Sequence, residues 1–238
     1  VAPPGTYEDG YHLTADLADE AIRMIAEHEA GAPDAPWFSY FAPGACHAPH
    51  QVPKELIDHY DEQFADGWDV ARERRLARML DMGIVPAGTV LPPRNPGVKA
   101  WDELPAAEQR VAQRLQAAYA AMLDHTDQQL ARVIDFLDRS GRLENTLVMV
   151  LSDNGASQEG GPKGFVNAMG PYNLIHESTE AKLARLDDIG GPDTHSNFPW
   201  GWAMVANTPL KRYKQNTHGG GVRDPLVVSW PAGISDAG

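Results

Sequence analysis

Cysteine is almost missing from this chain. Cys46 stands alone among 238 residues, so neither an internal disulfide framework nor a thiolate-based zinc cluster can be built. No apolar run is long enough to cross a bilayer, and no signal peptide is visible. Positive charge is scarce as well. Lys and Arg number 20 against 33 Asp and Glu, a formal net charge of -13. With no basic stripe to offset it, a general nucleic-acid or anionic-membrane binder is disfavoured, although a local pocket for an anion is not. An initiator Met is also absent: the chain opens Val1-Ala2-Pro3-Pro4. We therefore expect a fragment, and the compartment, cytoplasm or periplasm, stays open.

What remains is an ordinary globular composition, 42% apolar and 22% charged, with enough length for one large α/β domain or two small ones. No internal repeat, low-complexity tract or linker divides it, so one domain is the simpler expectation. Thr14 is a candidate N-cap for a helix through Ala30, with Leu17, Ala21, Ile22 and Ile25 on one face. Trp37-Phe38-Ser39-Tyr40-Phe41-Ala42 reads as an aromatic strand closed by Pro43-Gly44. Lys54 to about Met82 looks helical in two pieces broken near Gly67. Proline and glycine are dense from Pro86 to Pro105, a surface excursion. The longest periodic segment carries Val111, Leu115, Ala118, Met122, Val133, Ile134 and Leu137 and stops at Gly141. It feeds Leu147-Val148-Met149-Val150-Leu151, whose unbroken apolar character predicts a strand buried on both faces. A short helix is expected from about Ser178 to Ile189, and two further strands over Trp202–Ala206 and Leu226–Trp230. This alternation implies an α/β fold with a mostly parallel sheet flanked by helices.

Three clusters can carry chemistry, and each follows a strand candidate. Ser152-Asp153-Asn154-Gly155 offers two hard oxygen ligands for Mg2+ or Ca2+ at a strand's carboxyl end, where α/β ligand sites form. The same four residues also make a good turn. Cys46-His47-Ala48-Pro49-His50 supplies an imidazole able to donate to an anionic oxygen or protonate a leaving group near neutral pH. Read singly, either histidine is as well explained as a loop residue bonding backbone. Cys46 has no triad partner nearby and suits a small buried thiol better than a nucleophile. The third cluster runs from Lys211 to Arg223. Its triple glycine permits close backbone approach, and its cations suit a tetrahedral oxyanion. It also reads as a basic surface loop.

Taken together, the clusters resemble the later part of a type I sulfatase catalytic domain, arylsulfatase-like, in the alkaline phosphatase superfamily. The family shows an aromatic strand then His-x-Pro, here Tyr40-Phe41-Ala42 and His47-Ala48-Pro49. It shows a helix with a central Asp, a turn, and a strand ending in Asp-Asn-Gly, here Asp127 through Gly141 to Asp153-Asn154-Gly155. It ends on Lys-x-x-Thr-(His/Tyr)-Glu-Gly-Gly-x-Arg before Trp-Pro. The matching run here is Lys214 to Arg223, then Trp230-Pro231, with Gly219 in the place of the usual Glu. Three motifs in order, from about Trp37 to Gly233, are a specific signal where each alone is weak.

The resemblance implies an incomplete alkaline-phosphatase-like sandwich, residues 1–238 being a partial catalytic domain that lacks N- and C-terminal portions. It implies that Asp153 and Asn154 are divalent-cation ligands, for Ca2+ before Mg2+. It implies that His47, with His50 as the competing assignment, contacts the sulfate and protonates the leaving oxygen. It implies that Lys214, in preference to Lys211, grips a sulfate oxygen. The family's nucleophile is a formylglycine made from Cys or Ser in a Cys/Ser-x-Pro-x-Arg motif, and no such motif occurs here. Its N-terminal aspartate pair and Lys-x-His segment are missing too, and Asp187-Asp188 sits at a helix end. The parent is thus expected to hydrolyse a small-molecule sulfate monoester, and this chain alone to be inactive. Two alternatives stand beside it: a phosphonate monoester or phosphodiester hydrolase of the same superfamily, and a non-catalytic binder of sulfated ligands. Loops at Phe64–Pro105, Gly160–Gly170 and Gly191–Trp200 are expected to shape the mouth of the site. Trp200 and Trp202 are candidates to stack on a substrate ring, Trp202 being the better fit to the core.

Overall fold

A computed structural model describes residues 3–235. Its elements are α1 (Leu13–Gly31), α2 (Lys54–Asp61), α3 (Gly67–Asp81), α4 (Ala106–Arg139), β1 (Val148–Leu151), α5 (Met169–Tyr172), α6 (Thr179–Leu183), α7 (Trp200–Ala206), α8 (Gly219–Val222) and β2 (Leu226–Ser229). They fall into two compact units, one of Val1–Cys46, Met122–Val150 and Leu226–Gly238, the other of His47–Ala121 and Leu151–Pro225. Helices with one small sheet make an incomplete α/β fold.

In the first unit, α1 buries Ala18 and Ile25 two turns apart on one face. Its cap is His12 rather than Thr14: the imidazole Nδ1 accepts from the Thr14 amide at 3.2 Å, and Thr14 itself is buried in the first turn. A ring nitrogen satisfies the orphan amide in the way a cap hydroxyl would. The ring of His12 lies 4.1 Å from that of His125 on α4. At 34 residues, α4 is about 50 Å long. It ends as its apolar period predicts, with Gly141 at φ +71 and the Arg142 amide donating back to the Leu137 carbonyl. A salt bridge from Arg132 to Asp19 and another from Arg142 to Glu29 tie this helical layer together.

β1 pairs with β2 in a two-stranded sheet. Both strands form where the apolar runs place them, but the expected burial on both faces is not observed. Met149 is 53%, Leu151 61% and Val227 62% exposed. A two-stranded ribbon has no layer of its own to cover either face. The aromatic segment Trp37–Ala42 is not a strand at all, and Phe38 and Tyr40 are exposed. High β propensity does not make a ladder without a neighbour to take the backbone groups.

The second unit is centred on α7. The sequence suggests a strand over Trp202–Ala206, and the structure forms a helix there, buried from Gly201 to Val205. A short apolar run bounded by proline does not distinguish the two by period. Trp202 is fully buried against Phe64, Trp68 and Trp101 in edge-on contacts, and its indole donates to the Ala112 carbonyl at 2.9 Å. Gly201 is required beneath Trp68: a Cβ there would stand 2.3 Å from the indole. The two helical pieces expected between Lys54 and Met82 are α2 and α3, broken at Gly67, whose φ is +79. Asp61 accepts from Arg110 at 2.8 Å and from the buried Arg114 at 3.1 Å, fastening α2 to α4. The expected Ser178–Ile189 helix is shorter, α6 capped by Ser178 and followed by a 3-10 turn at Leu186–Asp188.

Candidate active site

Asp153, Asn154, Lys214 and His47 all belong to the second unit. Asp153 is exposed and Asn154 half-buried on the turn that leaves β1. The turn is fixed at both ends. The Ser152 amide donates to the Pro225 carbonyl at 3.3 Å, and the Ser152 hydroxyl donates to the Asn154 carbonyl at 2.8 Å. Asp224 faces the same region. Its partial burial, and then the charge of Asp153, hold its carboxyl above the usual carboxylate range. The carboxylates of Asp153 and Asp224, with the Asn154 amide oxygen beside them, are hard oxygen donors of the kind that suits a divalent cation. Among the described residues no group of three or more His, Cys, Asp or Glu gathers around a common point. Asp153 and Asn154 fit as part of a ligand set.

The loop bearing Lys214 lies directly against this turn. Asn207, at the C-terminus of α7, joins them. Its side-chain oxygen accepts from the Ala156 amide at 3.0 Å, while its amide nitrogen donates to the carbonyls of Arg212 at 2.9 Å and Gly220 at 2.8 Å. The Lys214 amide donates to the Ala156 carbonyl at 3.1 Å. Lys214 sits between two non-glycine residues in the left-handed region, Arg212 at φ +71 and Gln215 at φ +69. Such backbone costs about 1–3 kcal/mol per residue and persists where its surroundings impose it. The support comes from below: the Arg212 amide donates to the Asn95 side chain at 3.2 Å, and the buried Tyr213 ring lies 6.5 Å from that of Trp200. Burial holds the Tyr213 hydroxyl above its usual range, opposed by the nearby Asn95 side chain and the charges of Arg212 and Arg72. The Phe64–Pro105 segment thus underlies the lysine loop through Asn95. The triple glycine forms the single turn α8.

Lys214 is not a bare cation. Its ammonium is 3.1 Å from Glu159, the side chains being 12% and 27% exposed. Lys211 is exposed, and its carbonyl accepts from the Gly220 amide.

His47 is exposed, and its Nδ1 lies 2.6 Å from the Ala48 carbonyl. A carbonyl can only accept, so Nδ1 carries a proton and Nε2 is the nitrogen left to exchange one. His50 is 1% exposed, stacked on Phe198 and edge-on to Tyr119. The histidine loop is sewn to the 189–198 segment: the His50 amide donates to the Ser196 carbonyl, Val52 to that of Gly190, and the Gln51 side chain to those of Pro192 and Thr194. Asn197, next to Ser196, donates to the Ser157 hydroxyl at 3.3 Å, two residues past the Asp-Asn-Gly turn. The aspartate and lysine loops therefore touch, and the histidine loop reaches them through Ser196-Asn197.

The sequence reading missed Asn207 and Glu159. Asn207 bears a turn signal, Asn-Thr-Pro after an apolar run, that marks an end but not a partner. Glu159 lies in a stretch legible only as a glycine-rich loop.

A family model described as Sulfatase matches residues 2–237. An uncharacterized sulfatase of Schizosaccharomyces pombe is 33% identical over 82% of this chain and 34% of its own length. An arylsulfatase of Klebsiella aerogenes is 30% identical over 89% of this chain and 44% of its own length. The chain spans less than half the length of these relatives. Among solved structures, Ps i-CgsB in complex with k-i-k-neocarrahexaose superposes with a TM-score of 0.45 at 19% identity, covering 93% of this chain and 28% of that one.

Proposed function

The chain belongs to the sulfatase family, and from that premise we propose that it forms part of a hydrolase for a small-molecule sulfate monoester. Asp153 and Asn154 would hold one side of a divalent cation, Ca2+ before Mg2+, with the remaining ligands and a formylglycine nucleophile contributed by polypeptide beyond these 238 residues. The cation, when bound, supplies Lewis-acid stabilisation of charge on the ester oxygens. Lys214 binds a sulfate oxygen and holds the group in register as its negative charge redistributes. His47 gives a proton from Nε2, in its charged form, to the departing oxygen, while the Ala48 carbonyl fixes the ring through Nδ1.

The observation that supports this most is the junction at Asn207. One side chain bonds the loop after Asp153-Asn154 and the loop carrying Lys214. A cation ligand pair and an anion-binding ammonium then share one rigid support. The test is turnover by the full-length protein on matched aryl sulfate, phosphate and phosphonate esters. The sulfate ester is expected to be preferred, and the isolated 238-residue chain to turn over none of the three. Preference for a phosphoryl ester would move the assignment to the phosphonate monoester or phosphodiester hydrolases. Aryl sulfate hydrolysis by the isolated chain, freed of contaminating enzyme, would remove the need for an external nucleophile.

A further inference from the structure

We propose that Glu159 is the positioning residue for Lys214, a carboxylate lent by the loop after Asp-Asn-Gly to a lysine loop that has none of its own. The inference rests on the reading of Lys214 as the sulfate-binding cation. Between Asn207 and Asp224 the sequence contains no acidic residue. In this stretch Gly219 stands where the family resemblance places Glu. Space does not force that glycine, since a Cβ there would meet only the Leu210 side chain, at 3.4 Å or more.

The carboxylate arrives instead from across the junction. Glu159 lies 3.1 Å from the Lys214 ammonium. It is itself held on both oxygens, Oε1 accepting from the Gln215 amide at 3.1 Å and Oε2 from the Ser157 hydroxyl at 3.4 Å. The Glu159 backbone amide donates to Ser157 Oγ at 3.1 Å, and the buried Asn197 donates to the same oxygen at 3.3 Å. Neighbouring contacts close the seam: the Gln158 amide donates to the Gln215 side chain at 2.9 Å, and the Trp200 indole to the Gln158 carbonyl at 2.7 Å. Glu159 is therefore fixed before Lys214 reaches it, and the long lysine stem is aimed by a preset acceptor.

An ammonium has three protons. Glu159 takes one, which sets the direction of the other two toward a sulfate. With both side chains mostly covered, the pair is less screened than a surface ion pair. The carboxylate also offsets the cost of holding a lysine charge there with no anion bound.

The test is a mutant cycle in the full-length protein with an aryl sulfate as substrate and inorganic sulfate as competitive probe. Lys214→Ala is expected to lower kcat/KM by about 10²–10³-fold. Glu159→Gln keeps the shape and one acceptor oxygen, which can still serve Gln215, while deleting the charge and turning the position facing Lys214 and Ser157 into a donor. It is expected to raise both KM and the inhibition constant for sulfate about tenfold, an error of aim, with unchanged thermal stability. The double variant should be no worse than Lys214→Ala alone, because Glu159 acts only through the lysine. Wild-type constants for Glu159→Gln, or losses that multiply in the double variant, overturn the inference while leaving Lys214 in place. Wild-type constants for Lys214→Ala overturn the reading of the lysine and this inference with it. Should Glu159→Gln fold poorly, Glu159→Asp serves in its place, and it must recover part of what Glu159→Ala loses for the inference to stand.

Discussion

Gly155 and Gly220 meet backbone to backbone: a Cβ on Gly155 would stand 1.7 Å from the Gly220 carbonyl oxygen. That oxygen is also an acceptor for Asn207. No side chain can rotate out of the way at this contact, so the two loops must part if residue 155 gains a methyl group. Gly155→Ala is expected to destabilise the full-length protein by about 1–3 kcal/mol, the usual cost of overpacking, and to reduce turnover more than tenfold. Gly219→Ala is the control, because its new atom meets only the flexible Leu210 side chain. Melting temperatures and kcat/KM for the pair decide the point. Equal behaviour of the two variants would mean the loops are not locked at Gly155.

Asp153 is expected to be a cation ligand, and its removal should be read as loss of metal response before loss of rate. In the full-length protein, Asp153→Ala should abolish the rise in melting temperature that Ca2+ gives, a direct consequence of lost native-state binding. Activity should fall by about 10²-fold or more, with no recovery at high Ca2+ or Mg2+. Asn154→Ala, which removes a neutral oxygen, should retain a weakened response. An undiminished Ca2+-induced shift in Asp153→Ala would detach the residue from the metal.

How far the sequence carries follows from what each signal measures. The apolar period of α4 reports one buried stripe, so the helix and its Gly141 stop are legible to within a few residues. The run Leu147–Leu151 gives a strand but not its burial, because burial depends on layers that two strands do not possess. Trp202 lies in a run too short for its period to be read, and Pro199 ahead of it starts a helix as readily as it bounds a strand. At the site, residue type and motif order single out Asp153, His47 and Lys214 as candidates. Which loops touch is not legible there. Asn207 and Glu159 act through contacts across about fifty residues, and nothing local to either marks the partner.

The His12–His125 contact predicts a pH dependence of stability. Burial, and then the neighbouring His12, lower the His125 pKa from 6.5 to about 4, with Asp124 opposing weakly. The ring is therefore neutral in the folded protein and picks up a proton more readily once unfolded. The unfolded chain binds more protons between pH 6.5 and 4, so the stabilisation is complete above that window and is lost as pH falls through it. The measurement is the melting temperature of wild type and His125→Gln from pH 7 to pH 4. The difference between them should shrink as pH drops, since glutamine has no proton to gain. Parallel curves would show that His125 does not carry the dependence.

His47 gives the sharpest test of chemical role, because a proton donor matters in proportion to the basicity of the group that leaves. A nitrophenolate departs without help, whereas an unsubstituted phenolate or an alkoxide needs a proton in the transition state. His47 is exposed, with Nδ1 committed to the Ala48 carbonyl, so its Nε2 is the atom positioned to deliver it. In the full-length protein, His47→Ala should lower kcat for phenyl sulfate by about 10²–10⁴-fold and for nitrophenyl sulfate far less, steepening the dependence of rate on leaving-group pKa. His50→Phe, at a ring already stacked on Phe198, should leave that dependence unchanged. A uniform loss across all leaving groups in His47→Ala would make the residue a binding group for the sulfate and not its proton donor.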